Sequence, residues 1–281
     1  MDTEGITFVG GGNMARSLIG GLIGPGCPAE RISVLDPDAD ARKSVHDRWG
    51  LTVTDDPATA LSGSETVVLA VKPQVVQAAA AAIREHLPPG RPLIISVAAG
   101  TSTATLSALL GADIPIVRAM PNTPALLGCG ATALFAAPGT RGQERDRAEH
   151  ILRAAGIVVW VDDESLMDAV TAVSGSGPAY FFLLMEQLLA AGQAEGLSRE
   201  TARLLVMETA LGAARMALES DDTITDLRRR VTSPGGTTEA AIRSLEGDGF
   251  PAIVRRAVAA AASRSRELAA DLAFKEESRK Q

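Results

Sequence analysis

Val9-Gly10-Gly11-Gly12-Asn13-Met14-Ala15 follows the apolar run Ile6–Val9 and opens a run of helix-forming residues. Strand, glycine turn, helix is the order a chain needs to hold a dinucleotide pyrophosphate. Gly10 permits the tight turn, and Gly12 lets backbone approach phosphate with no Cβ in the way. Ala15, at the third small position, allows close helix–strand contact. Amides at the positive end of the helix dipole then meet the anionic phosphates. Glycine clusters also make ordinary turns; the placement after a strand and before a helix selects the binding reading.

Outward from this turn, short β-branched runs recur at Ile32–Leu35, Thr66–Val71, Leu93–Val97 and Ile114–Val117. Segments with helical spacing lie between them, such as Ala39–Arg48 and Val75–His86. This alternation predicts βαβ units around a parallel sheet, an α/β Rossmann-type domain. Strands at Ala131–Phe135 and Ile157–Val161, flanking a helix near Gln143–Ala155, complete the sheet. After Asp162 the strand signal stops, so the expected division is 1–162 for the dinucleotide-binding domain and 163–281 for an all-helical domain. Helices are expected from Pro178, from Ser198 to about Glu219, at Ile224–Arg230, at Thr237–Leu245, and from Phe250 towards Ala273. The Pro178–Ala191 helix is apolar on nearly every side and should be buried all round. One small helical domain gives little room for that. The small residues Ala210, Gly212, Ala213, Ala214 and Ala217 would let another helix approach, so a homodimer through the helical domains is expected.

Composition narrows the class. The 281 residues are 46% hydrophobic, enough for a real core. Cys27 and Cys129 are far apart, and His46, His86 and His150 are scattered, which excludes zinc-type spacing and a disulfide framework; no metal is expected. Met1-Asp2-Thr3-Glu4 is acidic and leads straight into a strand, unlike a signal peptide. The apolar stretch Ala179–Met185 is stopped by Glu186, too soon to span a bilayer. A cytoplasmic protein is expected, with no membrane contact. The net charge of −7 argues against a nucleic-acid partner.

In a doubly wound sheet, ligands bind beyond the carboxyl ends of the strands. The unusual loops of the first half fall there: Gly10–Met14, Asp36-Pro37-Asp38, Ala70-Val71-Lys72-Pro73, Ala98-Ala99-Gly100 and Met120-Pro121-Asn122-Thr123-Pro124. Asp36 ends the second strand, where an acidic residue bonds the adenosine ribose hydroxyls. That role favours NADH and repels the additional phosphate of NADPH, although Arg42 and Lys43 could offset the repulsion. Alternatively, Asp36 caps a helix beginning at Pro37. In the second half, Ser174-Gly175-Ser176-Gly177-Pro178 and Thr232-Ser233-Pro234-Gly235-Gly236-Thr237-Thr238 each precede a helix. Each presents hydroxyls and free amides at a helix start, a cradle for a carboxylate. Capping by Ser and Thr is the plainer role, but two consecutive glycines beside four hydroxyl residues exceed what a cap needs.

The missing residues narrow the reaction. Lysine occurs only at Lys43, Lys72, Lys275 and Lys280, and no histidine follows His150. Reducing a ketone needs a proton donor as hydride arrives. A cyclic imine is basic enough to be partly protonated near neutral pH, so a hydroxyl such as Thr238 suffices to orient its nitrogen. Tyr180, the sole tyrosine, lies in an apolar helix and reads as core.

Together, Gly10–Met14, Ala70–Pro73, Met120–Pro124, Ser174–Pro178 and Ser233–Thr238 resemble, in order and spacing, pyrroline-5-carboxylate reductase. The resemblance runs from about residue 5 to 272. It implies NADPH- or NADH-dependent reduction of 1-pyrroline-5-carboxylate to L-proline, and a helical dimer, with dimers assembling into a decamer. It places Val9 and Gly10–Met14 at the pyrophosphate. Ala70, Val71, Lys72, Pro73, Val97, Ala98 and Ala99 line the cofactor, with Asp36, Asp56 and Asn122 among the cofactor-binding candidates. Gly235, Gly236, Thr237 and Thr238 receive the substrate carboxylate, with Ser176, Asp221 and Ser233 beside them and Thr238 as the catalytic hydroxyl. Two departures stand: family members often carry Ser, Thr or Asn at Asp36, and Glu where Asp221 falls. A hydroxyacid dehydrogenase is the enzyme alternative, but its expected lysine has no candidate. A non-catalytic cofactor sensor is the other class.

Overall fold

The computed structural model describes residues 5–279, with side chains described as far as residue 270. The acidic lead-in Met1–Glu4 and Lys280 lie outside the described residues. By compactness the chain forms two units: residues up to Ser176 together with Ala261 onward, and Gly177–Ala260. The sheet ends before residue 163, where the strand signal stops, and the packing division comes later.

The first unit is built on eight strands: β1 (Gly5–Val9), β2 (Ile32–Leu35), β3 (Thr52–Thr54), β4 (Ser64–Leu69), β5 (Leu93–Ser96), β6 (Ile116–Met120), β7 (Gly130–Ala136) and β8 (Gly156–Trp160). Their order is β3-β2-β1-β4-β5-β6-β7-β8, so the winding reverses between β1 and β4. Six neighbouring pairs are parallel, but β7 runs antiparallel to β6. The sheet is parallel-dominated, as the βαβ alternation predicts, with β6–β7 its one antiparallel pair among the described residues. Only a loop with a short 3₁₀ turn, Thr123–Leu127, joins β6 to β7, and a parallel return needs a longer crossover. β3 is also unexpected; it is short and half-exposed, with little apolar signal.

Period-two alternation puts neighbouring strand residues into opposite layers. Phe8, Val68, Ile95 and Val117 join one apolar cluster, with Leu18 and Ile19 of helix α1 (Asn13–Ile23) and Ile151 and Leu152 of α6 (Gly142–Arg153). Val9, Val67, Leu69, Ile94 and Ile116 join the other. There they meet Leu61 of α3 (Pro57–Leu61), Ile83 of α4 (Val76–Arg84) and Leu106 of α5 (Thr103–Leu110). Helix α2 (Ala39–Trp49) contributes Val45 to the first layer. Ala15 is fully buried, as the third small position of the turn requires.

Helix α7 (Leu166–Val170) runs without a break through a π-helical turn, Thr171–Gly175, into α8 (Gly177–Ala194). The second unit continues with α9 (Arg199–Glu219), which packs along α8, then α10 (Ile224–Arg230) and α11 (Thr237–Gly247). Helix α12 (Phe250–Arg279) leaves this unit and packs on the first from Ala261, where Ser265 Oγ donates to Asp168 Oδ1 at 2.6 Å. The expectation that α8 is buried all round is not met within one chain: Phe181 and Phe182 are each 64% exposed, and only Gly177 of this helix is buried. An all-round apolar helix in a two-helix layer has too few neighbours of its own. Among the described residues, no helix is long and apolar enough to cross a membrane.

Candidate active site

The reversal between β1 and β4 opens a crevice at their carboxyl ends, and the glycine turn sits there. Ala70 N donates to Val9 O at 2.8 Å, and Gly10 N to Leu35 O at 2.8 Å. Gly10 has φ +99°, and a Cβ there would lie 2.8 Å from Ala70 O and 2.9 Å from Val71 Cγ1. Both the backbone conformation and the space demand glycine. At Gly12 the reverse holds: φ is an ordinary −72° and a Cβ would meet nothing within 4 Å. No side chain caps α1 at this N-cap position. The turn is therefore a bare helix start facing open space, which fits a pyrophosphate.

Asp36 is placed at this turn by β2. Its Oδ2 accepts from Gly11 N at 2.6 Å and its Oδ1 from Asp38 N at 2.9 Å. The capping alternative for Asp36 is overturned: α2 begins at Ala39, and Asp38 is its N-cap, accepting from Asp40 N and Ala41 N. Pro37 lies outside the helix. Because Gly11 N is committed to Asp36, the amides left for an anion are those from Gly12 onward. Arg16 Nε holds Gly11 O at 2.8 Å, which fixes the other side of that peptide. Arg42 donates to the carbonyls of Asp36 (2.7 Å) and Pro37 (2.9 Å) and pairs with Asp55 at 3.1 Å, so its charge stands beside Asp36. Lys43 instead pairs with Asp47 on the exposed face of α2.

Lys72 is exposed in the loop after β4, while Ala98 is buried after β5. Asp56 is the N-cap of α3, accepting from the Thr59 hydroxyl at 2.5 Å and the Thr59 amide at 2.9 Å. These bonds hold its carboxyl below the ordinary carboxylate range. Asn122 ties three segments: its Oδ1 accepts from Ala131 N (3.0 Å) and its Nδ2 donates to Ser174 Oγ (3.2 Å). Sequence reading missed Glu164, which accepts from Thr103 N (2.8 Å), Thr103 Oγ1 (2.7 Å) and Arg118 (3.0 Å). This anchors the start of α5, just past Val97–Ala99. Arg118 and Thr103 are far from Glu164 in sequence, and nothing local signals the triad.

In the helical segments, the expected loop at Ser174–Pro178 is not formed. Those residues continue the helix through the π turn, where Ser176 N donates to Thr171 O at 2.8 Å, so that amide is not free. The segment packs against Met120, whose Cε lies 2.5 Å from where a Gly175 Cβ would stand. π turns of this kind recur at functional sites. Ser233–Thr238, by contrast, does form a turn before a helix. Gly235 has φ +73° and donates to Glu239 Oε2 at 2.8 Å, and Gly236 is the N-cap of α11 without a side-chain cap. The amides and hydroxyls of Thr237 and Thr238 therefore stand at an uncapped helix start. Glu239 is the second residue that sequence reading missed; acidic placement three residues past an N-cap is its visible signal. Asp221 is exposed in the turn after α9, while neighbouring Asp222 is bonded to Arg230 and Ser220. Among the described residues, no group of three or more His, Cys, Asp or Glu could hold a metal.

Two family models match the chain. The one described as pyrroline-5-carboxylate reductase dimerisation covers residues 164–268. The one described as NADP oxidoreductase, coenzyme F420-dependent, covers residues 5–100. The pyrroline-5-carboxylate reductase of Pseudomonas aeruginosa is 51% identical over 272 residues, spanning 97% of this chain and 99% of that protein. The solved pyrroline-5-carboxylate reductase from Coxiella burnetii superposes with a TM-score of 0.90 at 43% identity, covering 95% of this chain and 98% of that one. A Plasmodium falciparum pyrroline carboxylate reductase with NADP bound gives a TM-score of 0.84 at 30% identity, covering 96% and 99%. With that identity along almost its whole length, the chain belongs to the pyrroline-5-carboxylate reductase family.

Proposed function

We propose that this chain reduces 1-pyrroline-5-carboxylate to L-proline with NAD(P)H, the final step of proline synthesis. The observation that carries the reading is the pair of uncapped glycine-led helix starts in a chain of this family, one at Gly12 and one at Gly236. When bound, the dihydronicotinamide supplies hydride to the imine carbon. Gly12, Asn13 and Met14 hold the pyrophosphate through backbone amides, with Val9, Gly10 and Gly11 shaping the turn. Asp36 meets the adenosine ribose, and Ala70–Pro73 and Val97–Ala99 line the cofactor. Asn122, tied to Ala131 and Ser174, and Asp56, at the cap of α3, are the remaining cofactor contacts of this reading.

Thr237 and Thr238 receive the substrate carboxylate through backbone amides and the Thr237 hydroxyl, while Gly235 and Gly236, whose own amides are held by Glu239 and by Ser233 O, shape the turn, with Ser176, Ser233 and Asp221 as flanking contacts. Thr238 orients the imine nitrogen. A hydroxyl is a poor acid, but the nitrogen brings its own basicity and needs only to be held as an iminium. The test follows nicotinamide absorbance with purified protein. NAD(P)H is consumed with pyrroline-5-carboxylate, and NAD(P)⁺ is not reduced with 2-hydroxy acids. Hydroxy-acid turnover alone would select the dehydrogenase, and no turnover would select a sensor.

A homodimer through the C-terminal helices belongs to the same proposal, supported by the dimerisation match and the exposed apolar residues of α8. Assembly of dimers into a decamer is proposed from the family resemblance. Light scattering reads both, and a compact monomer at micromolar concentration contradicts them. Two free thiols, Cys27 and Cys129, suit a reducing cytoplasm. The acidic charge gives no basis for a nucleic-acid partner.

A further inference from the structure

A cavity of about 450 Å³ lies at the end of the sheet away from the glycine turn. Its wall includes Ile6 at the start of β1 and Thr66 near the start of β4. The strand from Ile6 to Gly10 spans about 13 Å, so this cavity is separate from the dinucleotide edge. Helices α1 and α6 touch beside it, where a Cβ on Gly21 would collide with Ala154 O. The turn Pro25–Pro28 closes one side. That turn is preformed: Cys27 N donates to Leu22 O at 3.1 Å and Gly26 N to Ile23 O at 3.0 Å, with Gly26 at φ +111°. This is the paired bonding of a Schellman motif.

The chemistry of the wall is one-sided. Arg31, Arg147, His150 and Arg153 line it, and no Asp or Glu does, in a chain of net charge −7. Arg147 is engaged by Glu65, and Arg153 by Glu149. His150 and Arg153 also stand in the last turn of α6, where cations offset the helix dipole. Arg31 lies on neither helix and forms no ion pair among the described residues. Beside it, burial keeps the Cys27 thiol above its ordinary pKa against the smaller opposing pull of Arg31, so that wall group is neutral. At depth, Thr66 is fully buried and its Oγ1 has no hydrogen-bond partner among the described residues, which native interiors seldom leave standing. Leu22 and Ile151 make the wall apolar around it.

We infer that this cavity is a second ligand site, for a small organic monoanion. Its carboxylate meets Arg31 and the Thr66 hydroxyl, and its apolar body lies against Leu22 and Ile151. One uncommitted positive charge matches one negative charge, and the volume is that of a small-molecule site. No lining residue falls in the segment matched by the dimerisation model, residues 164–268. The inference is independent of the proposed reaction.

Saturation-transfer NMR on the full chain tests it with 4-methylpentanoate as probe and 4-methylpentanamide as its uncharged isostere. The expected result is saturable binding of the carboxylate that persists with saturating NADPH. The amide should bind at least fivefold more weakly, and Arg31→Gln should weaken the carboxylate by a similar factor. Absence of saturable binding, equal binding of the amide, indifference to Arg31→Gln, or displacement by NADPH would each overturn the inference.

Discussion

Gly12→Ala separates folding from cofactor binding more cleanly than any other change in the chain. The added Cβ meets no protein atom within 4 Å, and φ of −72° suits alanine. Alanine is a poorer N-cap than glycine by about 1 kcal/mol. Losing glycine from the unfolded chain returns about 0.4–1 kcal/mol. The two nearly cancel, so the melting temperature should hold. The cofactor should suffer, because the Cβ enters the open space in front of the α1 start, where phosphate is proposed to sit. Losing one charge-assisted hydrogen bond costs about 1.5–3 kcal/mol. At 1.4 kcal/mol per decade, Kd for NADPH and NADH should rise about 10- to 150-fold. Gly10→Ala is the contrast. Its φ of +99° and the 2.8 Å approach to Ala70 O should cost stability as well as binding. Left-handed strain of about 1–2 kcal/mol and crowding of about 1–3 kcal/mol add there. Fluorescence titration with thermal melts reads both variants. If Gly12→Ala binds both cofactors as the parent does, phosphate does not lie at the α1 start and the reasoning fails.

Other outcomes are equally specific. Thr238→Ala should lower kcat with cofactor Kd nearly unchanged; unaltered turnover removes Thr238 from the reaction. Asp36→Ser should raise the NADPH-to-NADH ratio of kcat/KM, since Arg42 then faces the additional phosphate without a neighbouring carboxylate; a fixed ratio would leave Asp36 only a tie for Gly11 and Asp38. Glu164→Ala strands Arg118, whose side chain is 9% exposed, and should cost about 3–5 kcal/mol in urea unfolding, most of it recovered by Arg118→Met with Glu164→Leu. A cost under about 1 kcal/mol would show that the pair is not effectively buried. Thr59 holds the Asp56 pKa low, so the contribution of Asp56 is present above the unfolded carboxylate value and is lost as pH falls through the folded one. Thr59→Val should move that value upward by NMR titration, and an unmoved value would contradict the assignment.

The first unit was readable because its signals are local. Strand, Gly10–Gly12 turn and helix sit within one short stretch, and β-branched runs mark six further strands. The missed β3 and the reversed β7 depend on pairing and connection length, which composition does not carry. Asp36 was ambiguous for a physical reason: Asp36-Pro37-Asp38 offers two carboxylates to one helix start, and only the backbone decides that Asp38 takes it. Ser174–Pro178 misled because serine, glycine and proline signal a break, while packing against Met120 and the Asn122–Ser174 bond hold the helix continuous. The Glu164 triad was invisible because its members come from three separate segments. The apolar surround of α8 was legible, but one chain leaves Phe181 and Phe182 exposed.

The most direct test of the central claim is a crystal structure with NADP⁺ and L-proline bound together. The account predicts the proline carboxylate on the amides of Thr237 and Thr238, the Thr238 hydroxyl on the ring nitrogen, and the pyrophosphate on the amides from Gly12 onward. Proline bound away from Thr238, or a nucleotide away from the glycine turn, would contradict it.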